Sequence, residues 1–266
     1  MPKLLIINPR SGDDTPGPDD LAAEARRYDI EIHVLREGEE PEEVARAAEA
    51  DVIGMAGGDG SLAAVADVAI ERDLPFVCVP FGTRNHFARD LGLDRDDPIG
   101  ALAGFSGQER RIDVGRVGER PFLNNVSLGV YAGLVHRREH HRRRRQALAR
   151  VRAVWLSLAD RHATGFVVDG EPVTARIVLV ANNSYSLELF SVGERETLDA
   201  GRLHLFTAEG WFPGSWEDRS GTRFTVDSRD HRLRAAIDGE PAELETPVEF
   251  SVQPQALRVL VPPAPD

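Results

Sequence analysis

Three short segments carry residue types that bind phosphate, and each directly follows an apolar run: Asn8-Pro9-Arg10-Ser11-Gly12, Gly57-Gly58-Asp59-Gly60-Ser61 and Gly82-Thr83-Arg84-Asn85. The second is the most informative. It lies between the apolar run Asp51 to Ala56 and the alanine-rich stretch Leu62 to Ile70, which predicts a strand, a glycine turn and a helix. Glycines lack a Cβ, so such a turn can pass close to a phosphate. The helix that follows aims unpaired N–H groups and its positive dipole end at the anion. In the first segment Asn8 and Ser11 can hydrogen-bond a nucleotide or brace the loop, Pro9 fixes a backbone angle, Gly12 permits a tight reversal and Arg10 offers a cation. The third follows the run Phe76 to Val79 and opens a helix, so Thr83, Asn85 and free backbone N–H groups gather at a helix start. Together these segments predict a polyphosphate site.

Composition removes several rivals. Lys3 is the only lysine, so neither a P-loop, which needs G-x-x-x-x-G-K-[ST], nor a protein-kinase strand lysine can be assembled. Gly58 to Ala63 does fit the dinucleotide pattern G-x-G-x-x-A. A dinucleotide site wants an acidic residue about 20 positions on, and there the chain reads Val79-Pro80-Phe81-Gly82. The glycine turn also follows the third predicted strand rather than the first, which argues further against NAD or FAD chemistry.

The elements that must position these turns come from the hydrophobic pattern. Apolar runs and helical patterns alternate through Lys3–Ile7, Leu21–Tyr28, Ile30–Leu35, Val44–Ala50, Val52–Ala56, Leu62–Ile70 and Phe76–Val79. That βαβαβαβ order predicts an α/β domain with a parallel sheet whose ligands bind beyond the carboxyl ends of the strands, where all three turns fall. After about Asp113 the texture changes to short β-rich runs at Val117–Ser127, Gly165–Asp169, Val173–Ala181, Leu203–Thr207, Thr222–Val226, Leu233–Ile237 and Val248–Val252. These predict a sandwich or barrel. The expected organisation is a nucleotide-binding domain over 1–113 and a β-rich domain over 114–266, which carries one long helical candidate from Arg138 to Arg161. The chain ends soon after the last of these runs, leaving little for a segment that returns to the first domain.

At 41% hydrophobic and 29% charged residues the chain reads as globular, and no apolar run approaches the roughly 20 residues that span a bilayer. The start, Met1 to Asn8, is too quickly polar for a secretory signal, and Cys78 has no second cysteine to pair with, so a cytoplasmic location is expected. A net charge of -12 argues against nucleic acid as a partner. A local exception is the arginine-rich stretch Arg137 to Arg145, which reads either as a solvated helix face or as a weak contact with anionic lipid that would place the protein at the membrane periphery.

Asn8-Pro9-x-Ser11-Gly12, Gly57-Gly58-Asp59-Gly60-Ser61 and Gly82-Thr83-x-Asn85-x-Phe87-Ala88, in that order, resemble the catalytic domain of the diacylglycerol kinase family, which includes bacterial soluble lipid kinases and sphingosine kinases. The resemblance implies an α/β domain with a β-rich second domain, use of ATP and Mg²⁺, and transfer of the γ-phosphate to a lipid hydroxyl at the membrane surface. It implies that Asn8, Pro9, Arg10, Ser11, Gly12, Gly57, Gly58, Asp59, Gly60, Ser61, Gly82, Thr83 and Asn85 form the nucleotide site, with Asp59 also among the catalytic residues. A late Asp-Gly-Glu element supplies the other catalytic carboxylates in that family, and here it matches Asp238-Gly239-Glu240. A carboxylate within reach of the acceptor hydroxyl can take its proton. The same tripeptide at Asp169-Gly170-Glu171 shows that it also serves as an ordinary hairpin turn.

The chain departs from the family pattern in three places. His86 stands where relatives have an aspartate, Ser186-Leu187-Glu188 replaces a glycine-rich segment after Asn182-Asn183-Ser184-Tyr185, and the structural-metal element Asp-Gly-x-Leu reads Ala200-Gly201-Arg202-Leu203, with Asp199 one residue off register. Two other functions remain open on the sequence. One is an NAD kinase-like enzyme with a non-lipid acceptor. The other is an ATP-binding module without catalysis.

Overall fold

The structure is a computed structural model that describes residues 1–11, 16–82, 85–129, 165–188, 191–208, 216–229 and 231–263. Gly12, Thr83, the arginine-rich stretch Arg137 to Arg145 and the helical candidate from Arg138 to Arg161 lie outside the described residues. The chain divides into two compact units, one of Met1–Val114 with Pro254–Asp266 and one of Gly115–Gln253.

The first unit begins with the predicted alternation: β1 (Lys3–Ile7), α1 (Pro18–Arg27), β2 (Glu31–Val34), α2 (Pro41–Ala47), β3 (Val52–Gly57), α3 (Asp59–Glu71), β4 (Phe76–Pro80) and a short α4 (His86–Asp90). The strands lie in the order β2-β1-β3-β4, all parallel, with Leu5 opposite both Ile32 and Gly54, and Gly54 opposite Val77. β3 and β4 are buried along their whole length, which is why they read as unbroken apolar runs. Helices α1 and α2 start a turn before their apolar residues do. Each has proline in its first turn followed by acidic residues, Asp19 and Asp20 or Glu42 and Glu43, as the helix dipole favours. Helix α3 is buried through Leu62, Ala63, Val65, Ala66, Val68 and Ala69, small enough to lie close against β3.

This strand order has a switch point. From β1 the chain moves to one side to form β2, whereas β3 and β4 lie on the other side, so the loops leaving β1 and β3 diverge and leave a crevice at the carboxyl edge.

The last strand corrects the expectation for the C-terminus. β18 runs from Val248 to Val261, and the segment Pro254–Asp266, expected in the second domain, clusters with the first unit. Its Val259 pairs in parallel with Phe76, so β4 gains a neighbour from the end of the chain. Asp113 in β5 (Gln108–Val117) is 1% exposed and accepts the Gln255 N–H at 2.8 Å.

The second unit is built from antiparallel pairs. One sheet runs β14 (Trp216–Gly221), β13 (Leu203–Ala208), β10 (Ile177–Asn182), β7 (Asn125–Gly129), β16 (Arg232–Ile237) and β17 (Glu240–Glu245). Within the same unit the first residues of β18 pair with β15 (Arg223–Ser228), which pairs with β8 (Gly165–Val168), and β8 pairs with β9 (Glu171–Thr174). Phe166, Phe224 and Phe250 from the second group and Val126, Val180, Leu205 and Ile237 from the first bury a common core, which is the sandwich arrangement. β6 (Arg120–Phe122) pairs with the end of β5, and β11 (Tyr185–Glu188) pairs with β12 (Ser191–Arg195).

Candidate active site

In the first unit the three turns meet at the carboxyl edge of β1, β3 and β4. The Asn8 N–H donates to the Ala56 carbonyl at 2.9 Å, and the Phe81 N–H donates to the Gly57 carbonyl at 3.3 Å. Side chains then tie turn to turn. Asn8 Nδ2 donates to Ser61 Oγ at 3.1 Å, which joins the β1 and β3 loops across the switch point, while Asn8 Oδ1 accepts the Arg10 N–H at 3.1 Å. The Asp59 carboxylate reaches from the start of α3 to the start of α4, accepting the Phe87 N–H at 3.1 Å and the His86 N–H at 3.3 Å. Asn85 has a left-handed backbone, φ 48°, as the N-cap of α4, and its Nδ2 donates to the Gly82 carbonyl at 2.7 Å.

These bonds separate two groups within the predicted site. Asn8, Asp59 and Asn85 are 9%, 7% and 4% exposed, and the Asn8 side chain, the Asp59 carboxylate and the Asn85 Nδ2 hold the turns. The accessible surface falls to Gly58, Gly60, Ser61, Gly82 and the exposed Pro9 and Arg10, with Ser11 part-exposed. Asp59, expected among the catalytic groups, braces two helix starts. Its charge also acts on Cys78 in β4, where burial first, and Asp59 second, push the thiol well up from its usual value.

The two key glycines are glycine for different reasons. A Cβ on Gly82 would lie 2.7 Å from the Gly58 Cα and 3.2 Å from the Gly58 N, so the third turn rests directly on the second. A Cβ on Gly58 would meet nothing within 4 Å. Its backbone, φ -82° and ψ 171°, suits any residue. Neither a clash nor the backbone angles therefore exclude a side chain at this N-cap, a position that also favours glycine over alanine. The missing Cβ keeps open the space in front of the N-terminus of α3, a 13-residue helix whose N-cap has no side-chain capping bond. A phosphate in that space meets backbone N–H groups and the positive end of the helix dipole.

In the second unit Asp238 and Gly239 form the two-residue turn between β16 and β17, with φ 47° and 84° as a type I′ hairpin requires. Asp169 and Gly170 form the same turn between β8 and β9, with φ 50° and 84°. Their surroundings differ. The exposed Asp169 accepts the Thr225 N–H at 2.8 Å. Asp238 is part-buried, and its carboxylate accepts three consecutive backbone N–H groups, those of Leu123 at 2.8 Å, Asn124 at 2.8 Å and Asn125 at 3.0 Å. Its own N–H returns to the Asn125 carbonyl at 2.9 Å. Asp238 is thus a clasp between the β16–β17 turn and the start of β7. Glu240, opposite Ile237 in the ladder, is exposed and is the more accessible carboxylate of this element.

The segment that departs from the family's structural-metal element is held by Asn183, which is 0% exposed with φ 67°. Asn183 Oδ1 accepts the Ala200 N–H at 3.1 Å and its N–H donates to the Arg202 carbonyl at 2.9 Å. A hydrogen-bonded brace thus engages the Arg202 carbonyl. Among the described residues no cluster of three or more His, Cys, Asp or Glu side chains gathers to hold a metal ion on its own, and no helix is long and apolar enough to cross a membrane.

Sequence reasoning did not find Asn124, one of Asp238's amide partners, or Arg195, which bonds the Asn124 side chain; both are buried in the second unit. Nothing in the local pattern marks them, because their partners come from distant segments.

Residues 2–117 match the family model described as the diacylglycerol kinase catalytic domain. A diacylglycerol kinase of Bacillus subtilis (strain 168) is 34% identical over 91 residues, which is 33% of this chain and 30% of that protein. A crystal structure of a diacylglycerol kinase from Bacillus anthracis str. Sterne superposes with a TM-score of 0.70 at 17% identity, covering 99% of this chain and 97% of that one. Another structure from the same organism gives 0.70 at 18% identity, covering 99% and 98%. At those identities the structural likeness establishes the fold alone.

Proposed function

Through residues 2–117 the chain belongs to the diacylglycerol kinase catalytic domain family, and on that premise we propose that it is an ATP-dependent lipid kinase, transferring the γ-phosphate to a lipid hydroxyl of diacylglycerol type. The observation that carries the reading is the open, side-chain-free approach to the N-terminus of α3 at Gly58, braced from both sides by Asn8 and Asp59.

In this reading the backbone N–H groups at Asp59, Gly60 and Ser61 take the phosphates, with the Ser61 hydroxyl and Arg10 beside them. Asn8, Asp59, Gly82 and Asn85 keep the three turns in register, so the site is organised before the nucleotide arrives. Mg²⁺ carried by the triphosphate would offset its charge, using one or two carboxylates and the phosphates themselves rather than a protein cage.

On the acceptor side we assign proton removal to Glu240 and the fixing of its turn to Asp238. A general base needs an accessible lone pair. Asp238 already accepts three backbone N–H groups, whereas Glu240 is exposed. Replacing Glu240 by glutamine is expected to lower turnover about 100-fold or more, with the KM for ATP little changed. Near-wild-type turnover in that variant would remove Glu240 from the role. The lipid is met at a membrane surface, with the arginine-rich stretch 137–145 as the contact with anionic headgroups.

A further inference from the structure

Arg195, the last residue of β12, is 7% exposed in the second unit. Its Nη1 donates to the Leu123 carbonyl at 2.6 Å and to the Asn182 carbonyl at 3.2 Å, and its Nη2 donates to Asn124 Oδ1 at 3.2 Å. The guanidinium carbon stands 5.5 Å from the centre of the Tyr185 ring. We infer that Arg195 is a positioning residue for the acceptor-side element: it holds the peptide groups that hold Asp238, and through them the turn from which Glu240 emerges. The inference rests on the kinase reading of that turn.

The geometry is a relay through two consecutive peptide groups. The group joining Leu123 to Asn124 receives the guanidinium at its carbonyl and gives its N–H to Asp238 at 2.8 Å. The group joining Asn124 to Asn125 receives the Asn182 N–H at its carbonyl at 2.9 Å and gives its own N–H to Asp238 at 3.0 Å. Asn182 Nδ2 adds a second donor to the Leu123 carbonyl at 3.3 Å. A donor on a peptide carbonyl polarises the group and strengthens its N–H as a donor, and a charged donor does so most. Arg195 therefore fixes the strand segment in place and tightens its grip on the Asp238 carboxylate.

Stability alone does not call for an arginine. Burying a guanidinium has a desolvation cost of several kcal/mol, and well-packed apolar side chains of similar volume often serve a fold as well or better. Methionine could fill the space beside Tyr185. It could not bond the Leu123 carbonyl or fork across to Asn124.

The test compares Arg195→Met and Arg195→Lys, alone and with Glu240→Gln, by steady-state transfer from ATP to dispersed lipid and by amide hydrogen exchange. Arg195→Met is expected to lower kcat about 30-fold or more, as an ångström-scale misplacement of a reacting group does, while the KM for ATP stays within about twofold. Lysine keeps the cation but loses the fork, and falls between. The Arg195→Met/Glu240→Gln double variant should be no slower than Glu240→Gln alone, because Arg195 acts only through that turn. A role confined to stability would instead multiply the losses or leave kcat untouched, and either result overturns the inference. In exchange, the Asn124 and Asn125 amides should lose protection about tenfold in Arg195→Met at unchanged global stability; undiminished protection overturns the inference. If the wild-type protein phosphorylates no lipid, the kinase reading falls while the exchange comparison still decides whether Arg195 holds the clasp. If the methionine variant does not fold, the lysine variant carries both comparisons.

Discussion

Replacing Gly58 by alanine separates binding from folding. The added Cβ meets no atom within 4 Å, and the φ of -82° and ψ of 171° are ordinary for alanine. Losing a glycine's freedom in the unfolded chain, worth about 0.4–1 kcal/mol, is offset by the poorer N-cap that alanine makes for α3, so the net change in stability stays within about 1 kcal/mol and the melting temperature moves by no more than about 3 °C. The same methyl group occupies the space in which a phosphate approaches the first N–H groups of α3. Displacing it forfeits at least one charge-assisted hydrogen bond, about 1.5–3 kcal/mol, which weakens the Kd for ATP about 10- to 150-fold. Gly82→Ala is the control that loses stability outright. Its Cβ would press to 2.7 Å on the Gly58 Cα, so the two turns must part, at an overpacking cost of about 1–3 kcal/mol. Calorimetric titration with Mg-ATP and thermal melts of the two variants give both quantities. A Gly58→Ala protein that binds ATP as the wild type does would refute the claim that a phosphate packs over Gly58. A Gly58→Ala protein as destabilised as Gly82→Ala would refute the reading of its surroundings as open.

Three further outcomes follow from the structure. Asp238→Asn turns an amide group toward three backbone donors at 2.8, 2.8 and 3.0 Å and should cost about 2–4 kcal/mol in urea melts, whereas Asp169→Asn, with its exposed carboxylate, should cost under about 1 kcal/mol; equal costs would mean that the two turns are equivalent. The Glu109 carboxyl is held below the usual 4.5 by its hydrogen bonds with the Arg258 guanidinium, at 2.7 and 3.0 Å. With its folded value depressed, its contribution is present above the usual value and lost as pH falls through the folded one, so on acidification below about pH 4.5 the wild type should lose more stability than Glu109→Gln, and parallel pH curves would contradict this. Binding to anionic liposomes through Arg137 to Arg145 should weaken as salt rises, and co-sedimentation that ignores salt, or is missing at low salt, would return that stretch to a solvated face.

The first unit was legible in the sequence because its central strands are buried on both faces, so β1 and β4 stand out as unbroken apolar runs. Helix starts were read a turn late, since Pro18-Asp19-Asp20 and Pro41-Glu42-Glu43 carry no apolar periodicity. β14, Trp-Glu-Asp-Arg-Ser-Gly, was missed because it is an edge strand with mostly exposed side chains. The second half of β18 was missed because Gln253-Pro254-Gln255 breaks the apolar pattern, with Gln255 at φ 51°, and the strand resumes only beyond it. The three phosphate turns were readable from glycine, asparagine and serine, whose backbone demands are local. What could not be read was which of those side chains face outward, because Asn8 and Asp59 are taken up by partners in other turns and Asn85 is buried against the Gly82 carbonyl of its own. The two Asp-Gly-Glu-Pro copies differ only in what lies beside them, so the clasp at Asp238 and the role of Arg195 required the tertiary structure.

Incubation of the protein with γ-labelled Mg-ATP and dispersed diacylglycerol, with NAD in a parallel reaction, decides whether it moves phosphate from ATP to a lipid hydroxyl. Label should appear in the extracted lipid phosphate and disappear with Glu240→Gln. ATP binding without label in any lipid alcohol, or label in the NAD reaction instead, would contradict that transfer.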